Sequence, residues 1–477
     1  MFRKIDIDLA SPESSVSEHQ KKAVSLFSGA GIGDIGYRSA GFDFISMCEL
    51  EPERALLAQL NFPSSRVFVG GVEENGKEII SHTQSQLTNE ELHLVTCTAP
   101  CQGMSKSGQG TLLKNIRAGK RPTLDPRNRL ILPALEIIKE LQPVWVVFEN
   151  VQEMRNTMIE DDQENIRPIL EIVFEKLSPE YDGFAYDVEM ADYGVPQRRQ
   201  RLITVMTRDK TALADFQSGF GLIPSVTHAK NPPLELKKWV SVMEAIGQFP
   251  PLDGKDQESA SHSKIPFHRV PILDPKKYEW IRHTKPGRSA FDNQCIKPEC
   301  RFQGNRTHGA SHNQDGINQS HKDTPLYCDR CQSLLPRPYT EEEGTIRLMS
   351  GYTSAYKRMD ADLPAPALTR NLSYPCSDQK LHPTQNRVLS LAEAMRIHTL
   401  DRYDFKWGPI EYPSPVRGRK RKLEIATDSL IRLVLGESVP PHFFELLGKF
   451  ILSFGKGEES IEGQKNRMRR SVQPTLW

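Results

Sequence analysis

The chain has 477 residues, of which 62 are Lys or Arg and 61 are Asp or Glu, for a net charge of +1. So even a balance excludes the broadly basic proteins that bind nucleic acid through net charge, so any such contact needs a local basic face. No apolar run approaches the ~20 residues needed to span a bilayer, and the polar segment Met1–Gln20 lacks the apolar core of a signal peptide, so a membrane role is not expected and a cytoplasmic location is.

A single core stops growing at about 250–300 residues, so a chain of this length is expected to divide. After a polar extension at 1–22, short apolar runs alternate with amphipathic stretches from Ala23 to Thr207. Strands are predicted at Val24–Phe27, Phe44–Cys48, Leu92–Thr96, Val144–Phe148, Phe184–Met190 and Arg201–Met206, and helices at Ile35–Ala40, Pro52–Leu60, Arg129–Leu141 and Ile166–Lys176. That alternation predicts an α/β domain, a mostly parallel sheet with helices on its faces, over 23–207. The rhythm breaks from Arg208 to Gln385 into a region rich in Pro, His, Asn and Gln, read as a second, smaller irregular domain. Helical periodicity returns at Val388–Leu400 and Pro441–Phe454, so 386–455 is expected to rejoin the first domain, ahead of a basic tail at 456–477. No internal repeat is present.

Three placements carry chemistry. Phe27-Ser28-Gly29-Ala30-Gly31-Ile32-Gly33 makes a glycine-rich first turn, whose backbone can approach a ligand and whose following helix start offers free N–H groups. Glu49 ends the next strand at the separation where a Rossmann-type acid meets a ribose. Pro100-Cys101 follows the buried strand Leu92–Cys97, and about fifty residues later Glu149-Asn150 follows Val144–Phe148, which suggests a thiol nucleophile and an acid facing one pocket. With eight cysteines and no secretion signal, thiol chemistry or metal is favoured over a disulfide scaffold. Cys295-x4-Cys300 and Cys328-x2-Cys331 look like the four corners of a structural zinc site, a reduced thiol cluster being the alternative.

Pro100-Cys101-Gln102 and Glu149-Asn150-Val151 resemble the two central motifs of the bacterial-type DNA cytosine-5 methyltransferases. Gln197-Arg198-Arg199-Gln200-Arg201 fits a third family motif and Phe27–Gly33 a fourth, in the family's order along the chain, from about Ala23 to Ile451. Four motifs in order are specific where one is not. The resemblance implies a Rossmann-like S-adenosylmethionine-dependent methyltransferase sheet with a target-recognition domain at 208–385, acting on a flipped cytosine in double-stranded DNA. It implies Cys101 as the nucleophile, Glu149 as the acid on the ring, and Arg199 and Arg201 beside the base and its phosphate. Phe27, Gly29, Ala30, Gly31, Gly33, Glu49, Leu50, Pro100, Ser438 and Val439 are expected at the cofactor. Gln102, Ser105, Asn150, Val151, Gln197 and Arg387 are expected on the substrate side.

This chain departs from the family pattern at several points. Val69-Gly70-Gly71-Val72 offers no acid for the adenine amine before Glu73; Ala392 replaces a frequent arginine; and Glu437 stands in Gly436-Glu437-Ser438-Val439 where relatives usually have Asn. A carboxylate there would repel that of the donor, so Glu437 is expected to turn outward. Arg417, Arg419, Lys420, Arg421 and Lys422 form a basic run that could touch phosphate or stay a solvated loop. The expected enzyme is monomeric, the methylase of a restriction-modification system with a separately acting endonuclease, or an unpartnered methylase. An RNA cytosine-5 methyltransferase and a catalytically silent zinc-containing DNA-binding protein are the competing readings.

Overall fold

The computed structural model describes residues 20–100, 104, 124–312, 318–320, 323–349, 354–377, 379–413 and 420–454. The expectations resting on Cys101, Gln102 and Ser105, on Arg417 and Arg419, and on the two chain ends lie outside the described residues.

The main sheet is built from β1 (Lys21–Leu26), β2 (Phe42–Glu49), β3 (Arg66–Val69), β4 (Leu94–Cys97), β5 (Trp145–Asn150), β6 (Asp182–Glu189) and β7 (Gln200–Thr207). Their spatial order is β3-β2-β1-β4-β5-β7-β6. The first five strands pair in parallel, and β7 runs antiparallel to both β5 and β6. The helices that matter for the site are α1 (Ile32–Ala40), α2 (Pro52–Asn61), α3 (Val72–Leu87), α4 (Ile131–Leu141), α5 (Ile169–Leu177), α6 (Leu391–Ile397), α7 (Asp428–Glu437) and α8 (Pro441–Leu452).

Both faces of the sheet are covered, which explains why β4 and the start of β5 read as continuous apolar runs. Phe42, Phe44, Trp145, Val147, Ile203 and Val205 pack on one face with Ile35 and Tyr37 of α1 and Phe443, Phe444 and Leu447 of α8. Val24, Leu26, Val95, Val146, Phe148 and Leu202 pack on the other with Ile79, Leu135, Ile138 and Val173. The period-2 alternation of a strand assigns each residue to its face.

Two elements escape the periodicity. The α3 segment buries only Val72, Ile79 and Thr83 in sixteen residues, an apolar stripe too thin to register as amphipathic. β3 is a four-residue edge strand with a single buried position, Phe68.

The change in composition at Arg208 does not coincide with a change of core. Leu222, Ile223, Val242 and Ile246, and later Met359, Ala365, Leu368 and Leu372, belong to the α1–α8 side of the main core. A separate core joins Leu273, Trp280, Ile281, Phe291, Ala355, Tyr356, Leu381 and Val388. The buried Arg358 stitches it together, donating to the carbonyls of Ile281, Thr284 and His382 at 2.7–2.9 Å. Among the described residues no helix is long and apolar enough to cross a membrane.

The chain's return is fixed by close packing of α8 on α1. A Cβ added at Gly36 would lie 2.0 Å from the Pro441 carbonyl oxygen, and one at Gly448 would lie 2.8 Å from the Ala40 Cβ. Gly36→Ala is therefore expected to push the two helices apart and lower unfolding free energy by about 1–3 kcal/mol, read from urea denaturation. An unchanged midpoint would mean that this contact does not hold α8 in place.

Candidate active site

Strand order places the chemistry. The direction of connection reverses between β1 and β4, the kind of switch point at which open α/β sheets bind ligands. Because β1, β4 and β5 are adjacent and in register, Leu26 opposite Cys97 and Cys97 opposite Phe148, three chain segments emerge side by side from their carboxyl ends. These are the glycine turn after β1, the Thr98–Pro100 segment after β4, and Glu149-Asn150 closing β5.

Hydrogen bonds lock these ends together. Thr98 donates from its hydroxyl to the Phe27 carbonyl at 2.7 Å, and Asn150 donates from its amide to the Ala99 carbonyl at 3.0 Å. The Asn150 oxygen also accepts the Val151 N–H at 2.8 Å. Asn150 is thus buried and spent on the segment that delivers residue 101.

Phe27, Gly29 and Gly31 all have positive φ, a conformation costly for any residue but glycine. The Gly29 N–H donates to Glu49 at 2.9 Å, and the second Glu49 oxygen accepts the Glu51 N–H at the same distance. A Cβ built on Gly29 meets nothing within 4 Å, so the turn borders open space, beside which Leu50 is 61% exposed.

Arg54, at the start of α2, stands between two acids, 3.5 Å from Glu49 and 2.8 Å from Glu437. Glu437 therefore does not turn away into solvent alone: the Arg54 guanidinium neutralises it. Burial is the main influence raising its carboxyl above the ordinary value, and Arg54 and then Arg370 pull it back.

On the neighbouring antiparallel strand, Arg201 Nε lies 2.7 Å from Glu149 Oε1, with both side chains largely covered. Register explains the meeting, since Ile203 pairs with Glu149 across β7 and β5. Arg199 points into the protein, its guanidinium donating to the Leu368 carbonyl at 2.9 Å and the Gly436 carbonyl at 3.2 Å. Gln197 is buried, accepts the Leu368 N–H at 3.1 Å and contacts His398, which also contacts Ser438. Val439, next to Ser438, is buried.

Arg387 is apart from this group and fully buried. It pairs with both oxygens of Glu393 at 2.7 Å and donates to the Leu252 and Val388 carbonyls, at the capping box of Ser390 and Glu393 that starts α6. Its donors face protein groups, so it braces the frame from which α6 springs rather than reaching into the cleft.

The C-5 cytosine-specific DNA methylase family matches residues 21–412. The chain belongs to that family. Among curated relatives it is 27% identical to the Type II methyltransferase M1.HgaI of Avibacterium volantium, over 90% of this chain and 98% of the relative. It is 32% identical to the Type II methyltransferase M.AquIA of a Picosynechococcus strain, over 49% of this chain and 90% of that one.

Elsewhere in this methylase, the sulfurs of Cys295, Cys300, Cys328 and Cys331 lie within 4.8 Å of one another, in two pairs 3.6 and 3.8 Å apart. Cys97, by contrast, is a buried thiol pushed up to about 12 by burial, the inert packing residue its place in β4 suggests.

Three polar residues at the site carried no motif signal. Arg54 has meaning only beside Glu437, far along the chain, and His398 only beside Gln197 and Ser438. Asp34, in the first turn of α1, is buried and accepts hydroxyl hydrogen bonds from Ser25 at 2.9 Å and Thr96 at 3.2 Å, on the two strands flanking the switch point.

Burial lifts the Asp34 carboxyl to about 7, against the two hydroxyls that lower it. The folded protein then holds a proton that the unfolded chain releases above about pH 4, so this group's contribution to stability falls as pH rises from about 4 to 7. The stability of Asp34→Asn relative to wild type is expected to shift in the variant's favour between pH 5 and pH 8, measured by urea unfolding. A difference that does not change with pH would show that Asp34 is ionised throughout.

Proposed function

We propose that this methylase transfers a methyl group from S-adenosylmethionine to carbon 5 of a cytosine rotated out of duplex DNA, with Cys101 adding at carbon 6. The observation that carries this reading is the pairing of Glu149 with Arg201 at 2.7 Å, on the strand beside the one whose end leads into Pro100-Cys101. The glycine turn on the next strand over completes the constellation.

Carbon 5 of cytosine is a poor nucleophile until a thiolate adds at carbon 6 and makes the ring enamine-like. Arg201, beside Glu149, supplies positive charge that favours a thiolate at Cys101, while Arg199, buried and bonded to the Leu368 and Gly436 carbonyls, braces that strand from within. Glu149 hydrogen-bonds ring nitrogen 3 through a proton shared once the base is bound, stabilising charge that builds on the ring and reading cytosine's pairing edge. Asn150 holds the Ala99–Pro100 backbone from which Cys101 extends. After transfer the carbon-5 proton passes to water, its bonding pair re-forms the 5,6 double bond, and the carbon–sulfur pair leaves with sulfur to restore the thiolate. Gln102, Ser105 and Val151 line the approach of the target strand, while Gln197, buried and bonded to Leu368 and His398, supports the segment that carries Arg199 and Arg201. Extruding the base costs a few kcal/mol, which phosphate and pocket contacts offset.

The residues around the glycine turn fit the methyl donor, because an added Cβ at Gly29 meets only open space and Glu49 sits at the ribose-binding position of such folds. Phe27, Ala30, Gly31, Gly33, Leu50, Pro100, Ser438 and Val439 complete the set that would hold it. Bound S-adenosylmethionine supplies an electrophilic methyl on a sulfonium.

The relatives' names support a modification methylase of a restriction-modification system over the RNA reading. On this reading the enzyme works as a monomer in the cytoplasm, with the endonuclease acting separately. Bisulfite sequencing of a host expressing the chain tests activity and reveals the target. Cys101→Ser is expected to lower methylation by about 10⁴-fold or more while donor binding persists. Unchanged turnover would overturn the nucleophile.

The four clustered thiols support a structural Zn²⁺. A tetrahedron with Zn–S bonds of about 2.3 Å has sulfur–sulfur edges of about 3.8 Å, close to the 3.6 and 3.8 Å separations here. Among the described residues the surrounding cluster contains only Leu335 and Phe302 besides the cysteines, so a metal would do what apolar burial cannot. Protein purified without chelator is expected to carry about one zinc per chain, and Cys328→Ser to lose it. Metal-free protein of unchanged stability would remove the assignment.

A further inference from the structure

His398 is fully buried and has both ring nitrogens engaged, yet it lies within no motif that assigns it a task. It caps the carboxyl end of α6, its backbone N–H returning to the Ala394 carbonyl at 2.9 Å. On one side, Gln197 Nε2 stands 3.3 Å from its Nδ1, and on the other, Ser438 Oγ stands 2.9 Å from its Nε2.

The direction of each bond follows from the next. Gln197 Oε1 accepts the Leu368 N–H, so the amide nitrogen is the end that faces the imidazole, and an amide nitrogen can only donate. Nδ1 must then be the bare acceptor, which leaves the ring proton on Nε2, directed at Ser438 Oγ. The Ser438 hydroxyl in turn donates to the Leu435 carbonyl at 3.3 Å. The result is one directional chain, from the Leu368 N–H through Gln197, His398 and Ser438 to the end of α7.

Only a neutral imidazole can sit in this chain, because a second ring proton would oppose the Gln197 donor. Burial, and after it the charges of Arg199 and Arg201, hold His398 well below its ordinary value, in agreement with that neutrality. Arg199 crosses the same junction in parallel, from the Leu368 to the Gly436 carbonyl. The approach is so close that a Cβ at Gly436 would lie 2.1 Å from Arg370 N.

We infer that His398 is a positioning residue for methyl transfer, holding the base-side segment Gln197–Arg201 and the donor-side segment Ser438–Val439 in one register through its two hydrogen bonds. The inference rests on the reaction proposed above, which assigns those segments to different ligands. With no exposed surface, His398 itself touches neither ligand. Transfer between two separately bound partners tolerates little misplacement, and about 1 Å of error costs on the order of 10²-fold in rate.

The test compares His398→Leu, which fills the space without the bonds, with His398→Gln, whose amide again offers one donor and one acceptor. In His398→Leu, kcat on duplex DNA is expected to fall about 10–100-fold, with KM for DNA and for the donor changed much less. His398→Gln is expected to recover most of that loss. Wild-type kcat in His398→Leu, or equal impairment in His398→Gln, would overturn the positioning role. Should His398→Leu not fold, Ser438→Ala cuts one arm with little change in core volume; a lowered kcat with KM for the donor unchanged supports the inference, and an unaltered kcat, or a fall that comes with a raised donor KM, defeats it. If wild-type protein methylates no duplex DNA, the proposed reaction fails. If wild type is active and His398→Leu is its equal, only this inference fails.

Discussion

The close approach of α8 to α1 is the constraint on which the site depends. Two glycines, Gly36 and Gly448, let the last helix settle directly against the first, and the end of α7 just ahead of α8 is thereby brought to Arg54 of α2, which Glu437 meets at 2.8 Å. Residues more than four hundred positions apart are packed into one core. Tyr37 stacks on Phe444 with ring centroids 5.1 Å apart, so the contact is apolar as well as close and adds to the main core.

Once that return is made, charge has to be settled. Glu49 and Glu437 come from distant segments and both face Arg54, which relieves their mutual repulsion. The carboxylate at 437 is tolerated because α2 supplies its counter-ion. Deeper in, Asp34 meets no cation among the described residues and is held by hydroxyls on β1 and β4, a carboxyl kept partly neutral by burial. It links the first turn of α1 to both strands that flank the switch point.

The region between the catalytic motifs follows a different logic. Its small separate core, around Trp280, Phe291 and Tyr356, is reinforced by guanidinium groups: Arg358 and Arg337 are buried and bond mainly to backbone carbonyls. Long cationic side chains here tie irregular backbone that has no sheet ladder to satisfy it. The cysteine cluster lies outside that core, where apolar side chains are few.

The local sequence was enough to reveal the sheet strands with continuous apolar runs, the strongly amphipathic helices, the glycine turn and the two strand-end motifs, because periodicity and turn chemistry are short-range properties. It also brought the four cysteines together, since thiol spacing carries its own geometry. It could not show α3, whose buried stripe is three residues wide, nor that residues 210–246 join the main core despite their irregular composition. Nor could it show that Arg387 turns inward to Glu393, or that Arg54, Asp34 and His398 belong to the site. Each of those depends on partners brought close only by the order of strands and the packing of α8, and a side chain's role in a low-dielectric interior is set by what faces it, which no local window of sequence contains.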